Sequence, residues 1–389
     1  MRYPVQDQVA IVGVGSTGFS RDAGGRSQLG LAAEAAVAAI RDAGLAAADI
    51  DGVVGTAIPA HQMVTTLGLD DIVWYGNDSL PVGFGVVDAM NAIHAGLCET
   101  VLLYHSMFRT PFWSRAAARD PFRRNTGMAL MLHGGRTDPE TVEGAVGYAA
   151  WASRYMHEYG APKETFGHVA INSRTNAADN PLAVRRDPIT MEDYLAARMI
   201  REPLSLLDMD IPVDGGDALI LTTAERARDL PHKPVLLHAA CAGIVASPGE
   251  DQIPGLQRHG QHVVVDFLRS HSDIWIDDVD VYYPYDGFTI ITLSWIENSG
   301  WCGPGEAGEF IRAHWDKDAN RLLINGKVPV NTHGGALSEG GTQGSGHVRE
   351  AVLQLRGEAG PRQVPWAKAA LVTPGGFFFN SQGMVLRAD

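Results

Sequence analysis

Short apolar runs alternate with amphipathic stretches along this chain, and that alternation narrows the fold more than any single residue does. The first run, Gln8-Val9-Ala10-Ile11-Val12-Gly13-Val14, has the character of a buried strand. Between Ser27 and Asp42, Leu29, Ala32, Ala36 and Ile40 fall on one helical face, with Ser27 placed to cap the start and Gly44 the end. Ile50 to Gly55 reads as a second strand, Pro81 to Ala95 as a helix, and Glu99 to Tyr104 as a third strand. Strand, helix, strand, helix, strand is the order of a parallel α/β unit.

The same order restarts after Pro231. Val235 to Ala240 and Asp278 to Tyr283 read as strands, and a helix from Ser345 to Leu355 leads to the strand Ala369 to Thr373. The repetition is one of element order rather than of residues. It suggests two related halves, 1–230 and 231–389, joined near Leu230-Pro231. The pattern breaks between about Met107 and Leu206, a stretch with helical pieces that carries Arg109, Arg115, Arg119, Arg123 and Arg124. Two readings of this inserted region stand: a solvated cap on the sheet, or a substrate-binding lid. Val213 to Thr223 then restores a buried strand.

At 389 residues and 45% hydrophobic, the chain is long and apolar enough for roughly two cores. No run approaches the ~20 apolar residues of a membrane helix, and the N-terminus has no signal-peptide character. A formal net charge of −14 argues against nucleic acid or an anionic membrane as the main partner. Cys98, Cys241 and Cys302 are too far apart for a disulfide framework or a metal motif, so no metal is expected and a cytoplasmic location fits best.

Two glycine motifs carry candidate chemistry. Gly13-Val14-Gly15-Ser16-Thr17-Gly18 matches the dinucleotide pattern, but that site needs the helix to start at once so that its N-terminus meets the pyrophosphate. Here the helix starts only after nine more residues, so a glycine-rich turn is the expected reading. The second motif runs from Asn331 to His347 and includes Gly334, Gly335, Gly340, Gly341, Gly344 and Gly346. So many glycines let a backbone approach a ligand closely and aim N–H groups at it, and the helix that follows adds a positive dipole end.

Asn331-Thr332-His333-Gly334-Gly335, followed by Leu337-Ser338-Glu339-Gly340-Gly341, resembles the glycine-rich region of thiolases. Tyr155 to Gly160, Asn180-Pro181-Leu182-Ala183 and Asp214-Gly215-Gly216 are similar to the centre of the sterol-carrier-protein-type thiolases, also called lipid-transfer proteins. Tyr285-Asp286-Gly287-Phe288 stands where that group has a His-Asp-Ala-Phe motif, and Gly375 to Gly383 takes the place of the C-terminal cysteine-and-glycine loop. The resemblance spans nearly the whole chain. It implies an α/β thiolase fold, two related βαβαβ-type halves in an α/β/α/β/α layering, with an inserted cap at about 107–206.

The departures set the expected chemistry. Ser79 falls where a thiolase has its nucleophilic cysteine, Gly341 where it has a histidine, and Phe377 near its second cysteine. Serine is a poor nucleophile without an adjacent base. The pattern resembles the thiolase-like retro-aldolases that shorten steroid side chains by cleaving a β-hydroxyacyl-CoA into a ketone and a shorter acyl-CoA. That reaction needs a base for the hydroxyl proton and a hole for the enolate, but no cysteine. Tyr285 is the candidate base and Asp286 its orienting partner, with His347 or His333 standing in for the missing histidine. Each also has a bland reading: a strand-end tyrosine, a turn aspartate, core or capping histidines. Ser79, Asn331, His333, Gly334 and Gly376 are the candidate substrate-binding residues. The resemblance implies no cofactor beyond the coenzyme A thioester itself. It also implies a homodimer, with a small OB-fold and zinc-ribbon partner giving a heterotetramer. Two rival functions remain: an acyltransferase or thiolase-type enzyme using Ser79, and a non-catalytic lipid-binding subunit.

Overall fold

The computed structural model describes residues 3–78, 82–109, 145–245, 255–376 and 380–389. Among these, the strands in chain order begin with β1 (Val9–Ser20), β2 (Gly52–Thr56), β3 (Trp74–Asp78), β4 (Thr100–Phe108), β5 (Met199–Arg201), β6 (Leu204–Ser205) and β7 (Asp214–Thr223). They continue with β8 (Val235–Ile244), β9 (Val281–Pro284), β10 (Trp315–Asp316), β11 (Arg321–Ile324), β12 (Val328–Pro329), β13 (Ala369–Thr373) and β14 (Asn380–Ala388). They divide between two compact units. One is drawn from Met1–Pro139, Pro212–Ala240 and Leu386–Asp389, the other from Glu140–Ile211 and Cys241–Val385.

In the first unit the strand order is β3-β2-β4-β7-β1-β8. β2 runs parallel to β3 and β4, while β7 lies antiparallel between β4 and β1, so the sheet is mixed rather than wholly parallel. The helix Gln28–Asp42 packs Leu31, Ala32, Ala35, Ala36, Ala39 and Ile40 inward, and Ser27 Oγ caps it by accepting from Gly30 N at 3.0 Å. Alanine on this face brings the helix backbone down onto β1. A Cβ at Gly15 would stand 2.2 Å from Ala35 O, and one at Gly13 2.4 Å from Ala39 O.

That close approach corrects the reading of the first glycine motif. Gly13 to Gly18 is not a turn: β1 runs straight through it, with pairing irregularities between Ile11 and Gly13 and between Ser16 and Phe19. Gly13 and Gly15 are there for helix contact. With no strand-to-helix turn at this point, nothing presents a helix N-terminus to a pyrophosphate.

In the second unit β9 and β13 pair in parallel, Tyr282 opposite Leu371 and Tyr283 opposite Val372, in the order β14-β13-β9. Beside β9, Val330 forms a parallel bridge to Tyr282 and Asn331 N donates to Tyr282 O at 3.0 Å. The end of β9 and the start of the glycine-rich segment are thus neighbours. The helices Glu164–Ala177, Thr289–Asn298, Gly335–Ser338 and Ser345–Arg356 belong to this unit. No helix among the described residues is long and apolar enough to cross a membrane.

A tyrosine–histidine–aspartate site at the end of β9

β9 closes at Pro284 and delivers Tyr285, whose backbone N–H reaches Thr373 O at 3.0 Å, while its carbonyl accepts from Thr292 Oγ1 at 3.2 Å. The side chain is 2% exposed. Two glycines admit it. A Cβ at Gly287 would stand 2.8 Å from the Tyr285 hydroxyl, and one at Gly376 2.3 Å from the ring. Gly376, a candidate substrate contact, therefore lies directly against the candidate base.

Asp286 is fully buried and acts as a hub. Its Oδ1 accepts from Ala336 N at 2.6 Å and faces His347 Nε2 at 3.1 Å; its Oδ2 accepts from Ser173 Oγ at 3.1 Å and Leu337 N at 3.3 Å. A side chain at Gly335 would overlap this carboxylate, with Cβ only 2.0 Å from Oδ2, and Gly335 also sits at φ +61°. Here glycine is required on both counts. Asp286 thus holds the first turn of the helix Gly335–Ser338 and, from the same oxygen, the imidazole of His347.

His347 lies in the first turn of the helix Ser345–Arg356 and is fully buried. Its ring centroid is 5.7 Å from that of Tyr285 and 4.7 Å from that of His333, which meets it edge-on. A carboxylate only accepts, so the proton of His347 belongs on Nε2 and a lone pair is left on Nδ1. Among the described residues, that Nδ1 has no hydrogen-bond partner, nor has either ring nitrogen of His333. Buried polar atoms are normally paired, so unpaired nitrogens on adjacent rings point to a polar ligand.

The site thus brings together Tyr285, Asp286, His347, His333, Asn331, Gly334 and Gly376. Asn331 adopts φ +52° and donates from Nδ2 to Pro284 O at 2.9 Å, and Gly334 turns the chain at φ +97° against Ala177. Ser79 and Arg115, Arg119, Arg123 and Arg124 of the arginine cluster lie outside the described residues. Residues missed in the sequence come from the helix Glu164–Ala177: Ser173 on Asp286, and Asn176, whose Nδ2 reaches Val330 O at 2.9 Å and Asn331 O at 3.2 Å. Asn172 and Asn176 stand four apart on this helix, a spacing that could have signalled a buried polar face. The three cysteines are all unpaired, and burial is the main force pushing each thiol up to about 12, so none offers a ready thiolate.

Burial, reinforced by His347, Arg349 and Arg362, holds His333 well below the ordinary imidazole value of 6.5. His259, before the helix Gly260–His271, is pushed down to about 3 by burial and His262. Both imidazoles stay neutral in the folded chain at pH values where the unfolded chain would protonate them. The unfolded state then binds more protons, so stability falls as pH falls from about 6.5 towards 3, by about 1.4 kcal/mol per pH unit for each histidine at the steepest. Urea midpoints measured between pH 7 and pH 5 are expected to fall more steeply for the native chain than for His259→Gln. Equal slopes would show that His259 already carries a proton in the folded state.

Residues 269–388 match the thiolase C-terminal domain-like family. The chain is 36% identical to the steroid side-chain-cleaving aldolase of Thermomonospora curvata, covering 98% of each. It is 34% identical to the 17-hydroxy-3-oxo-4-pregnene-20-carboxyl-CoA lyase of Mycobacterium tuberculosis, covering 95% of this chain and 96% of that one. A solved structure of an Ltp2-ChsH2(DUF35) aldolase is 33% identical, covers 99% of both chains and superposes with a TM-score of 0.83. The architecture is that of a thiolase-fold protein. Within that class, the chain belongs to the family of carbon–carbon lyases that includes the steroid side-chain-cleaving aldolases.

Proposed function

We propose that this protein cleaves a β-hydroxyacyl-CoA, a steroid side-chain thioester, by a retro-aldol reaction into a ketone and a shorter acyl-CoA. The observation that carries the reading is the buried row of Tyr285, His347 and Asp286, with an unpartnered imidazole nitrogen and no thiolate at hand. The relatives' names support the substrate class.

Tyr285 takes the proton of the β-hydroxyl and passes its own to His347 Nδ1, while Asp286 holds Nε2–H. The bond between the α- and β-carbons breaks, the β-carbon becomes the ketone, and the electron pair moves into the thioester as an enolate. The proton then returns to the α-carbon. The thioester is its own electron sink, so the scheme calls for no cofactor. Backbone N–H groups near Gly376 would hold the enolate oxygen, where one donor is typically worth about 10²–10³ in rate. Asn331, His333 and Gly334 would contact the substrate.

The assembly we propose is a homodimer with a small OB-fold and zinc-ribbon partner, working in the cytoplasm; the halves 1–230 and 231–389 are taken as its duplicated units. A homodimer is favoured by the edge strand β3, beside which Val73 is 70% and Tyr75 68% exposed, a surface that strand pairing between copies would cover. The test is incubation of the chain, alone and with its co-purifying partner, with steroid β-hydroxyacyl-CoAs. Ketone and shortened thioester, read by mass, are expected in equal amounts. A covalent acyl-enzyme on serine, with no carbon–carbon cleavage, would overturn the reading in favour of acyl transfer.

A further inference from the structure

We propose that Asn180 is a positioning residue: its single side-chain amide clamps the glycine-rich segment and so sets His333 against His347. The inference rests on the lyase reading for its kinetic consequence, but the clamp itself stands on geometry. Asn180 follows the helix Glu164–Ala177 and is 1% exposed. Its Nδ2 donates both its hydrogens, one to His333 O at 2.8 Å and one to Glu339 Oε1 at 2.8 Å, and its Oδ1 accepts from Leu182 N at 3.0 Å. Every polar atom of the side chain is used.

The two acceptors lie at opposite ends of the sharpest part of the loop. Between them come Gly334 at φ +97°, Gly335 at φ +61° and the short helix Gly335–Ser338. His333 is the residue whose imidazole meets His347. Glu339 is ion-paired with the buried Arg349, two residues beyond His347 on the helix Ser345–Arg356. One amide thus fixes the backbone that carries one imidazole and, through Glu339 and Arg349, the helix that carries the other. The chain around it follows the same path: Val184 N donates to Glu339 O at 3.2 Å and Arg185 N to Ser338 O at 3.0 Å.

An asparagine is the side chain this junction needs. Aspartate has the same shape but no donor, and would set a second carboxylate beside Glu339. Alanine leaves a buried carbonyl and a buried carboxylate oxygen each short of a donor. The buried Asn180 side chain spends its polar atoms on the protein itself, so its loss acts through placement, and a displacement of about 1 Å in a catalytic group can cost about 10²-fold.

The experiment uses the full chain, with its partner if turnover requires one, at temperatures where circular dichroism shows each variant folded. In Asn180→Ala, kcat is expected to fall by about 10²-fold with KM within about threefold. Amide hydrogen exchange across residues 334–341 should speed up about tenfold or more. In Asn180→Asp, kcat relative to the native chain should rise as pH falls, because a proton shared with Glu339 restores one donor. Unchanged exchange in Asn180→Ala overturns the clamp whatever the turnover. Faster exchange with unchanged kcat in an active enzyme overturns the positioning role. Faster exchange where the native chain cleaves no hydroxyacyl-CoA keeps the clamp and sinks the lyase reading alone.

Discussion

Tyr285→Phe is expected to lower kcat for carbon–carbon cleavage by about 10³-fold, with KM within a few-fold and the folded state intact. The substitution removes one oxygen and leaves the backbone and packing supports of the ring in place. β9 and the hydrogen bond from Tyr285 N to Thr373 O fix the backbone, and Gly287 and Gly376 both lie close against the ring. Phenylalanine fills the same volume, so the stability cost should stay near the ~1 kcal/mol of one lost hydrogen bond. Positioned general bases contribute about 10²–10⁴. Tyr285 also delivers its proton to His347, so its loss removes the relay as well as the base, which places the expectation towards the upper part of that range. Turnover is measured by release of ketone from hydroxyacyl-CoA, and folding by thermal unfolding. Turnover within threefold of native in Tyr285→Phe would move the chemistry to another group, His333 first among them.

Much of the fold could be read from the residues, and the parts that could not share a physical cause. The strand Ala369–Thr373 and the helix Ser345–Arg356 coincide with their sequence signals, because a buried apolar run and a glycine-bounded helix are local features. Ser27 caps its helix as expected for the same reason. β1 runs on past its apolar signal, since glycines inside a strand look like a turn until the helix Gln28–Asp42 is laid on them. β3 and the helix Ala60–Leu67 were passed over: β3 is a sheet edge with an exposed Tyr75, so it lacks the apolar signature of its neighbours. At the site, Tyr285, Asp286, His347 and His333 were legible because they occupy family motifs. Ser173 and Asn176 were not, since polar residues on a helix are ordinarily assigned to solvent. Their burial is matched by partners distant in sequence: Ser173 donates to Asp286, and Asn176 donates to the carbonyls of Val330 and Asn331.

Asp286 offers a way to separate what holds this site together from what runs it. In Asp286→Ala, Ala336 N–H, Leu337 N–H, the Ser173 hydroxyl and His347 Nε2–H all lose their acceptor in a fully buried place. At about 1–3 kcal/mol for each buried group left unpaired, and with partial rearrangement, the expected destabilisation is about 4 kcal/mol or more, a large share of a domain's stability. Asp286→Asn keeps the shape and one accepting oxygen. If that oxygen stays on Leu337 N and Ser173, the new NH2 faces Ala336 N and His347, and the imidazole accommodates it by giving up its Nε2 proton. The histidine then carries its proton on Nδ1, the nitrogen that must accept one from Tyr285. The asparagine variant should therefore cost about 1–2 kcal/mol in denaturant unfolding yet lose about 10²–10⁴ in kcat, the scale of general acid–base catalysis. Nitrogen-15 shifts of His347 would report the tautomer directly. An asparagine variant that keeps the Nε2–H form and still loses activity would mean that the carboxylate acts by its charge. One that keeps both tautomer and activity would reduce Asp286 to a cap for the helix Gly335–Ser338.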